Sequence, residues 1–73
     1  MSKYVIAFKY NEGTPLEHRR YYAGICYIRD AGCFKELYSR SLFDAIKYSS
    51  REDAEKAIAT NTNLSTGYII TIN

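Results

Sequence analysis

The sequence predicts a small α+β domain, in which a three- to four-stranded antiparallel sheet packs one short helix on one face. Three observations predict this class. The chain has 73 residues, which is the length of a single domain over 1–73. Several segments alternate side chains at the period of two that is typical of strands. One segment combines a capping signal with apolar residues at helical spacing. The predicted order is β-β-(β)-α-β.

The first strand is predicted over Lys3–Tyr10, which reads KYVIAFKY. Its β-branched and aromatic residues alternate between two faces, as expected of a strand. The next segment, 11–18, is a predicted loop, because Asn-Glu-Gly is a turn signal and Pro15 fixes its own φ. The residues predicted to share one face of the first strand are Tyr4, Ile6, Phe8 and Tyr10.

The second and third strands are predicted to form a hairpin. The second covers Arg20–Arg29, and Gly24 inside it predicts a bulge or a close backbone approach. A loop containing Gly32 follows, and a short third strand is predicted over 33–38. With simple alternation, one face of the second strand is expected to carry Tyr21, Ala23, Ile25 and Tyr27, and the other Tyr22, Gly24, Cys26 and Ile28.

Two capping signals follow in the second half of the chain. Ser41 is expected to begin a single helical turn, after which 46–48 extends again. Ser50 is expected to cap a helix over 51–60 by accepting from the Asp53 backbone N–H. The narrow apolar face of this helix consists of Ala54, Ala57 and Ile58.

The last strand is predicted over 68–72, which reads YIITI. Its consecutive apolar residues favour a strand that is covered on both sides and therefore central in the sheet. A single short helix can cover only one face of the sheet, whereas the strands carry apolar residues on both. Either the 39–49 segment folds across the second face, or that face is a tyrosine-rich surface for self-association or for a partner.

Composition limits the classes of function. The net charge is +2, which favours neither a dedicated DNA-binding protein nor an acidic mimic of DNA. Cys26 and Cys33 are too few for a disulfide scaffold, so free thiols in a reducing cytoplasm are expected, with a disulfide between them less favoured. No apolar run reaches the roughly 20 residues of a membrane span, so no membrane association is expected.

The residues with reactive side chains predict no catalytic site, no metal and no cofactor. His18 is interpreted as a solvated loop residue, and Cys26 as a small core residue. Cys33 could be exposed, but nothing in the sequence marks it as reactive. The acidic side chains Glu52, Asp53 and Glu55 are explained by the positive end of the helix dipole, without a metal ion.

The run His18-Arg19-Arg20-Tyr21-Tyr22 is the most suggestive polar feature of the sequence. Arginine and tyrosine are the residues favoured at the centre of protein interfaces. They can also bind phosphate and stack on bases, or simply form a solvated strand edge that deters pairing. The predicted partner-binding residues are Arg19, Arg20, Tyr21, Tyr22, Tyr27 and Tyr10.

The segment 45–58, AIKYSSREDAEKAI, resembles a pattern found in small bacteriophage- and prophage-encoded proteins. In these, an alanine and an aromatic residue lead into a Ser-capped helix of the form S-x-E-x-A-E-K-A. The strand KYVIAFKY and the pair Tyr21-Tyr22 are similar to the same group. The resemblance covers most of the chain thinly, and its motif specifies a fold more than a function.

The resemblance implies a class of function and no set of functional residues. Better understood phage proteins of this size bind and inhibit a bacterial protein, including immune nucleases such as CRISPR effectors. We therefore expect a non-catalytic inhibitor or modulator that occludes a bacterial host protein in the host bacterial cytoplasm. The alternative is a small dimeric nucleic-acid-binding module that uses Arg19, Arg20 and tyrosines. A homodimer is expected in both cases.

Overall fold

The computed structural model describes residues 2–73, which form a four-stranded antiparallel sheet, one α-helix and two single turns of 3-10 helix. The order of strands in the sheet is β3-β2-β1-β4. The predicted class and element order are confirmed, with the tentative third strand present. The elements are β1 (Lys3–Tyr10), β2 (His18–Ile28), β3 (Cys33–Ser39), a turn at Leu42–Asp44, α1 (Arg51–Thr60), a turn at Thr62–Leu64 and β4 (Tyr68–Ile72).

The helix packs on one face of the sheet, and the core lies between them. The predicted cap is confirmed, because the Ser50 hydroxyl accepts from the Asp53 backbone N–H at 3.1 Å. The first predicted capping signal also holds, since the Ser41 hydroxyl accepts from the Phe43 N–H at 3.2 Å. The buried residues of the helix-side core are Ile6, Phe8, Tyr22, Ala54 and Leu64, and Ala57 and Ile58 pack against them.

β4 lies at an edge of the sheet, so the prediction that it is central was wrong. It pairs with β1 alone, and β1 is an interior strand. Its apolar run has a different cause. Ile69 packs against the helix-side core, whereas Ile70 pairs with the buried Val5 on the other face. A strand with one free edge can therefore still be apolar on both of its faces.

A β-bulge interrupts the pairing of β2 with β3, as Gly24 predicted. Tyr22 pairs with Tyr38, but the next pair is Gly24 with Leu37, so β2 contains one additional residue at this point. Gly24 has φ +123°, which a residue with a side chain rarely adopts. The additional residue reverses the alternation beyond it. Ile25 and Tyr27 consequently lie on the face of Tyr22, and the expectation that they share a face with Tyr21 was wrong.

The segment after β3 crosses β2 and then joins the sheet, because Ser39 pairs with Tyr21 on one side of β2 and Ile46 bonds to Tyr22 on the other. Its residues 46–48 lie between β1 and β2, where these strands diverge. The Ile46 N–H donates to the Tyr22 carbonyl at 3.0 Å, and Tyr4 and Tyr48 exchange two backbone hydrogen bonds of 3.0 and 2.8 Å. Ile46 and Tyr48 also pack against the helix-side core. Lys47, between these two residues, faces the opposite way, and its Nζ donates to the carbonyls of Leu42, Phe43 and Ala45 at 3.0 Å. The segment therefore extends the sheet and the core, and its 3-10 turn lies towards the second face.

The second face is closed around the interior strand. Val5 and Ala7, which point away from the helix-side residues of β1, are fully buried. Ala7 pairs with Tyr21 on one side and with Tyr68 on the other, and both tyrosines are half-buried. Of the two alternatives expected for this face, the burial of Val5 and Ala7 favours the covered one around β1, and a tyrosine-rich open face at this strand was wrong.

Candidate functional site

The distal part of the β2–β3 hairpin extends beyond the rest of the sheet, and we call residues 24–37 the arm. β1 pairs with β2 only as far as Tyr21, and the next β2 carbonyl, that of Tyr22, accepts from Ile46. Beyond the bulge, the named pairs of β2 are with β3 alone. An isolated two-stranded ribbon is only marginally stable in water. A partner that packs against the arm would therefore disrupt few existing contacts and would bury apolar area that is now exposed.

One face of the arm carries three exposed apolar side chains, Ile25, Tyr27 and Phe34, which we call the arm surface. They are 56%, 54% and 71% exposed. Tyr27 and Phe34 are cross-strand partners, and their ring centroids are 5.0 Å apart. Since an aromatic side chain presents roughly 150–250 Å², the two rings alone expose on the order of 250 Å². With Ile25 the patch reaches the few hundred Å² at which apolar surface often marks an interaction site.

The base of the arm is held to the body of the domain by Glu36. Its Oε1 accepts hydrogen bonds from the side-chain amides of Asn63 at 2.6 Å and Asn61 at 3.2 Å. These bonds lower the pKa of Glu36 below its ordinary value, Asn63 having the largest effect, followed by a backbone N–H and Asn61. Glu36 is the cross-strand partner of Ile25, so its hydrogen bonds to Asn61 and Asn63 lie directly beside the arm surface.

The two predicted arginines lie on opposite faces of the sheet. Arg20 is on the helix side, where its Nε donates to His18 Nε2 at 3.0 Å and its guanidinium lies 4.6 Å from the centroid of Tyr10. His18 stacks on Tyr10 with centroids 5.4 Å apart, and its Nδ1 lies 3.0 Å from the Leu16 carbonyl. Both imidazole nitrogens have partners. His18 is therefore the ordered first residue of β2 rather than the solvated loop residue that the sequence predicted.

Arg19 and Tyr21 lie on the second face. The Arg19 guanidinium is 5.9 Å from the centroid of the Tyr68 ring. The pKa of Arg19 is raised, chiefly by a side-chain hydrogen bond with Tyr21 and next by the charge interaction with Tyr68. The predicted arginine and tyrosine cluster is therefore divided by strand alternation into two separate groups, and neither group includes the arm.

Of the predicted contact residues, only Tyr27 lies on the arm surface. Tyr22 is buried in the helix-side core, so it is a core residue and not a surface contact. Burial raises its pKa, and likewise the pKa values of Tyr38 and Tyr48. The sequence reasoning missed Ile25 and Phe34. The signal that could have found them is the Gly24 bulge, because counting it places Ile25 and Tyr27 on one face.

Both cysteines are exposed and free. The prediction that Cys26 is a core residue was wrong, because no second layer covers this part of β2, whereas Cys33 is exposed as expected.

Within residues 2–73, no group of three or more His, Cys, Asp or Glu side chains is arranged to hold a metal ion. The acidic side chains of α1 lie in its first turns, beside the helix N-terminus.

Comparisons with known proteins found no matching family model, no similar curated protein and no similar solved structure. Among residues 2–73, no helix has both the length and the apolar character needed to cross a membrane.

Proposed function

We propose that this domain is a small, phage-type binding protein that occludes a surface of a bacterial protein in the cytoplasm, without catalysis of its own. The observation that carries the proposal is the arm surface, formed by Ile25, Tyr27 and Phe34. The resemblance of residues 45–58 to phage-encoded proteins supports the class of partner, which includes host-defence proteins such as CRISPR effectors.

The arm surface has the composition of an interface centre. Aromatic residues dominate the binding energy of such centres, and Tyr27 and Phe34 already contact each other, so little side-chain freedom remains to be lost on binding. Charged side chains border the apolar group: Glu36 is the cross-strand partner of Ile25 on the same face, and the exposed Arg29 follows the end of β2. An apolar centre with a polar rim is the usual arrangement of a specific interface.

Capture from bacterial cytosol tests the proposal when two matched baits are compared. Phe34→Ser removes a ring from the arm surface. Phe43→Ser removes a ring that is 90% exposed but lies in the 3-10 turn after β3, outside the arm. We expect the wild-type protein and Phe43→Ser to retain the same stoichiometric protein, and Phe34→Ser to lose it. Equal thermal midpoints for the three baits establish that the loss is not unfolding.

Two results would contradict the proposal. One is that Phe34→Ser retains the partner as well as Phe43→Ser does, which would place the contact elsewhere. The other is that no stoichiometric protein is retained by the wild-type bait over a range of salt concentrations.

Self-association forms a second part of the proposal, and the strand edges favour one arrangement. β3 carries Lys35 and Glu36 in its centre, and charges on an edge strand oppose pairing. β4 reads YIITI and has no charged residue. A second copy is therefore expected to pair along β4, with Ile70 opposite its own copy.

Sedimentation equilibrium at tens of micromolar, roughly the range of weak association, measures this directly. We expect a dimer for the wild type and a monomer for Thr71→Lys, which adds a charge at an exposed position of β4. Ala59→Lys, at an exposed position of α1, is the control and is expected to remain a dimer. A monomeric wild type, or equal association of the two variants, would contradict pairing along β4.

A further inference from the structure

Two cations lie side by side on the second face of the sheet. Lys9 on β1 and Arg19 on β2 are direct cross-strand partners, and both are exposed. Like charges in this position destabilise a sheet. Their counter-charge is weak: Lys9 Nζ is 4.0 Å from Glu12 Oε1, between side chains that are 52% and 69% exposed. The folded protein therefore keeps the Lys9 ammonium and the Arg19 guanidinium close together although their repulsion lowers its stability.

A buried hydroxyl lies next to this pair. Tyr68 is on the same face, and its ring lies beneath the Arg19 guanidinium. The Tyr68 hydroxyl oxygen is buried and has no hydrogen-bond partner of good geometry within residues 2–73, although a weaker hydrogen bond with it contributes to the raised pKa of Arg19. Buried hydroxyl groups almost always have a partner, so an orphaned one requires an explanation. A ligand that draws the guanidinium aside would expose the hydroxyl and supply that partner.

Open cavities flank Lys9 on both sides. One, of about 300 Å³, is lined by Phe8, Lys9, Glu12, Thr66 and Tyr68. The other, of about 340 Å³, is lined by Lys9, Glu17, Arg19 and Tyr21. Each has the volume of a small ligand site. Lys9 is common to both, so one bound group beside its ammonium can reach donors on either side.

We propose that this face binds the phosphate group of a small phosphorylated molecule, such as a nucleoside or sugar monophosphate. An ammonium, a guanidinium and the tyrosine hydroxyls of Tyr21 and Tyr68 are donors, and a phosphate offers acceptors. Glu12 and Glu17 line the rims of the cavities. Their charges oppose a polyanion but accept hydrogen bonds from hydroxyl groups, which favours a monophosphate ester over a nucleic acid strand. The site is on the face opposite the arm surface and does not depend on the proposed function.

Titration calorimetry with AMP, ribose 5-phosphate and inorganic phosphate tests this site. We expect at least one of the two esters to bind, and more tightly than phosphate alone. Arg19→Gln is expected to weaken binding by about tenfold or more, as for a charge-assisted hydrogen bond. Arg20→Gln is the matched control, because Arg20 is the next residue but lies on the helix side. It is expected to leave the affinity within about twofold, well below the cost of losing a charge-assisted bond.

Tyr68→Phe gives a second and independent readout. It removes the orphaned hydroxyl, so the free protein should be at least as stable as the wild type, whereas the affinity for the phosphate ester should fall. The absence of binding by both esters would overturn the proposal, and so would an equal loss in Arg19→Gln and Arg20→Gln. Much tighter binding of a single-stranded oligonucleotide than of either ester would also overturn it, in favour of a polyanion.

Discussion

Asn63 donates a 2.6 Å hydrogen bond to Glu36, although the two residues are 27 positions apart in the chain. This bond joins β3 to the 3-10 turn after α1, at the point where the arm leaves the body of the domain. The orientation of the arm relative to the helix depends on it, because beyond the bulge the named pairs of β2 and β3 are with each other.

Neutralising Glu36 should therefore destabilise the protein in a pH-dependent manner. The folded pKa of Glu36 is lowered from its ordinary value of 4.5. The contribution of the ionised carboxylate is thus present above about pH 4.5 and disappears as the pH falls through the lower, folded value. We expect Glu36→Gln to have a lower thermal midpoint than the wild type at pH 7, and the difference to shrink towards pH 3.

Thermal denaturation from pH 3 to 7 measures this prediction, and Glu17→Gln is the control. Glu17 is an exposed loop carboxylate, so its neutralisation should have little effect at any pH. A difference for Glu36→Gln that is equally large at pH 3 and pH 7 would show that the charge of the carboxylate is not what holds the arm.

Leu64, in the 3-10 turn after α1, closes the helix-side core. It is 1% exposed and belongs to the buried cluster with Phe8 and Ala54. Leu64→Ala should lower the free energy of unfolding by about 2–5 kcal/mol, through lost burial and the cavity left behind. Leu16→Ala removes the same atoms from a side chain that is 74% exposed, and should cost little. Similar losses in urea denaturation would contradict the assignment of the core.

Gly67 is required by close packing rather than by its backbone angles. A Cβ atom at this position would lie 2.7 Å from Ile6 Cγ2 and 2.8 Å from Phe8 Cε1. Both side chains are buried, so neither can move away freely. Gly67→Ala should therefore destabilise the domain by about 1–3 kcal/mol, as overpacking of a core does. A variant as stable as the wild type in urea would show that Ile6 and Phe8 can rearrange.

The cap of α1 should be measurable in the same way. Ser50→Ala removes the acceptor of the Asp53 N–H and should cost about 1 kcal/mol. The neighbouring Ser49 donates only a 3.3 Å hydrogen bond to the exposed Asp53 carboxylate, so Ser49→Ala should cost less. The order of the two variants in chemical denaturation decides the prediction, and the reverse order would contradict it.

Local signals in the sequence predicted most of the elements. The alternation of KYVIAFKY and the capping residue Ser50 each depend on neighbours within a few positions, and both β1 and α1 have the predicted bounds. The edge position of β4 could not be predicted in this way, because it is decided by which strands pair at long range. The apolar run of β4 was interpreted as central burial, although its two faces are covered without a second neighbouring strand.

The candidate site was predicted less well, for one physical reason. A single additional residue at the bulge changes which side chains share a face, and it divides Tyr21 from Tyr27. The insertion of residues 46–48 between β1 and β2 is equally non-local. Together these two features create the arm. Tyr27 was selected for its residue type, whereas its neighbours on the arm surface, Ile25 and Phe34, follow only from the register of the strands.

Hydrogen–deuterium exchange on the purified complex with the captured protein tests the central claim most directly. Amides of a marginally stable ribbon exchange readily when free and slowly when an interface covers them. We predict slowed exchange over residues 24–37 in the complex, and unchanged exchange in the turn at Leu42–Asp44, which carries the exposed Phe43. Unchanged exchange in the arm, with protection confined to other segments, would contradict the assignment of the arm as the binding surface.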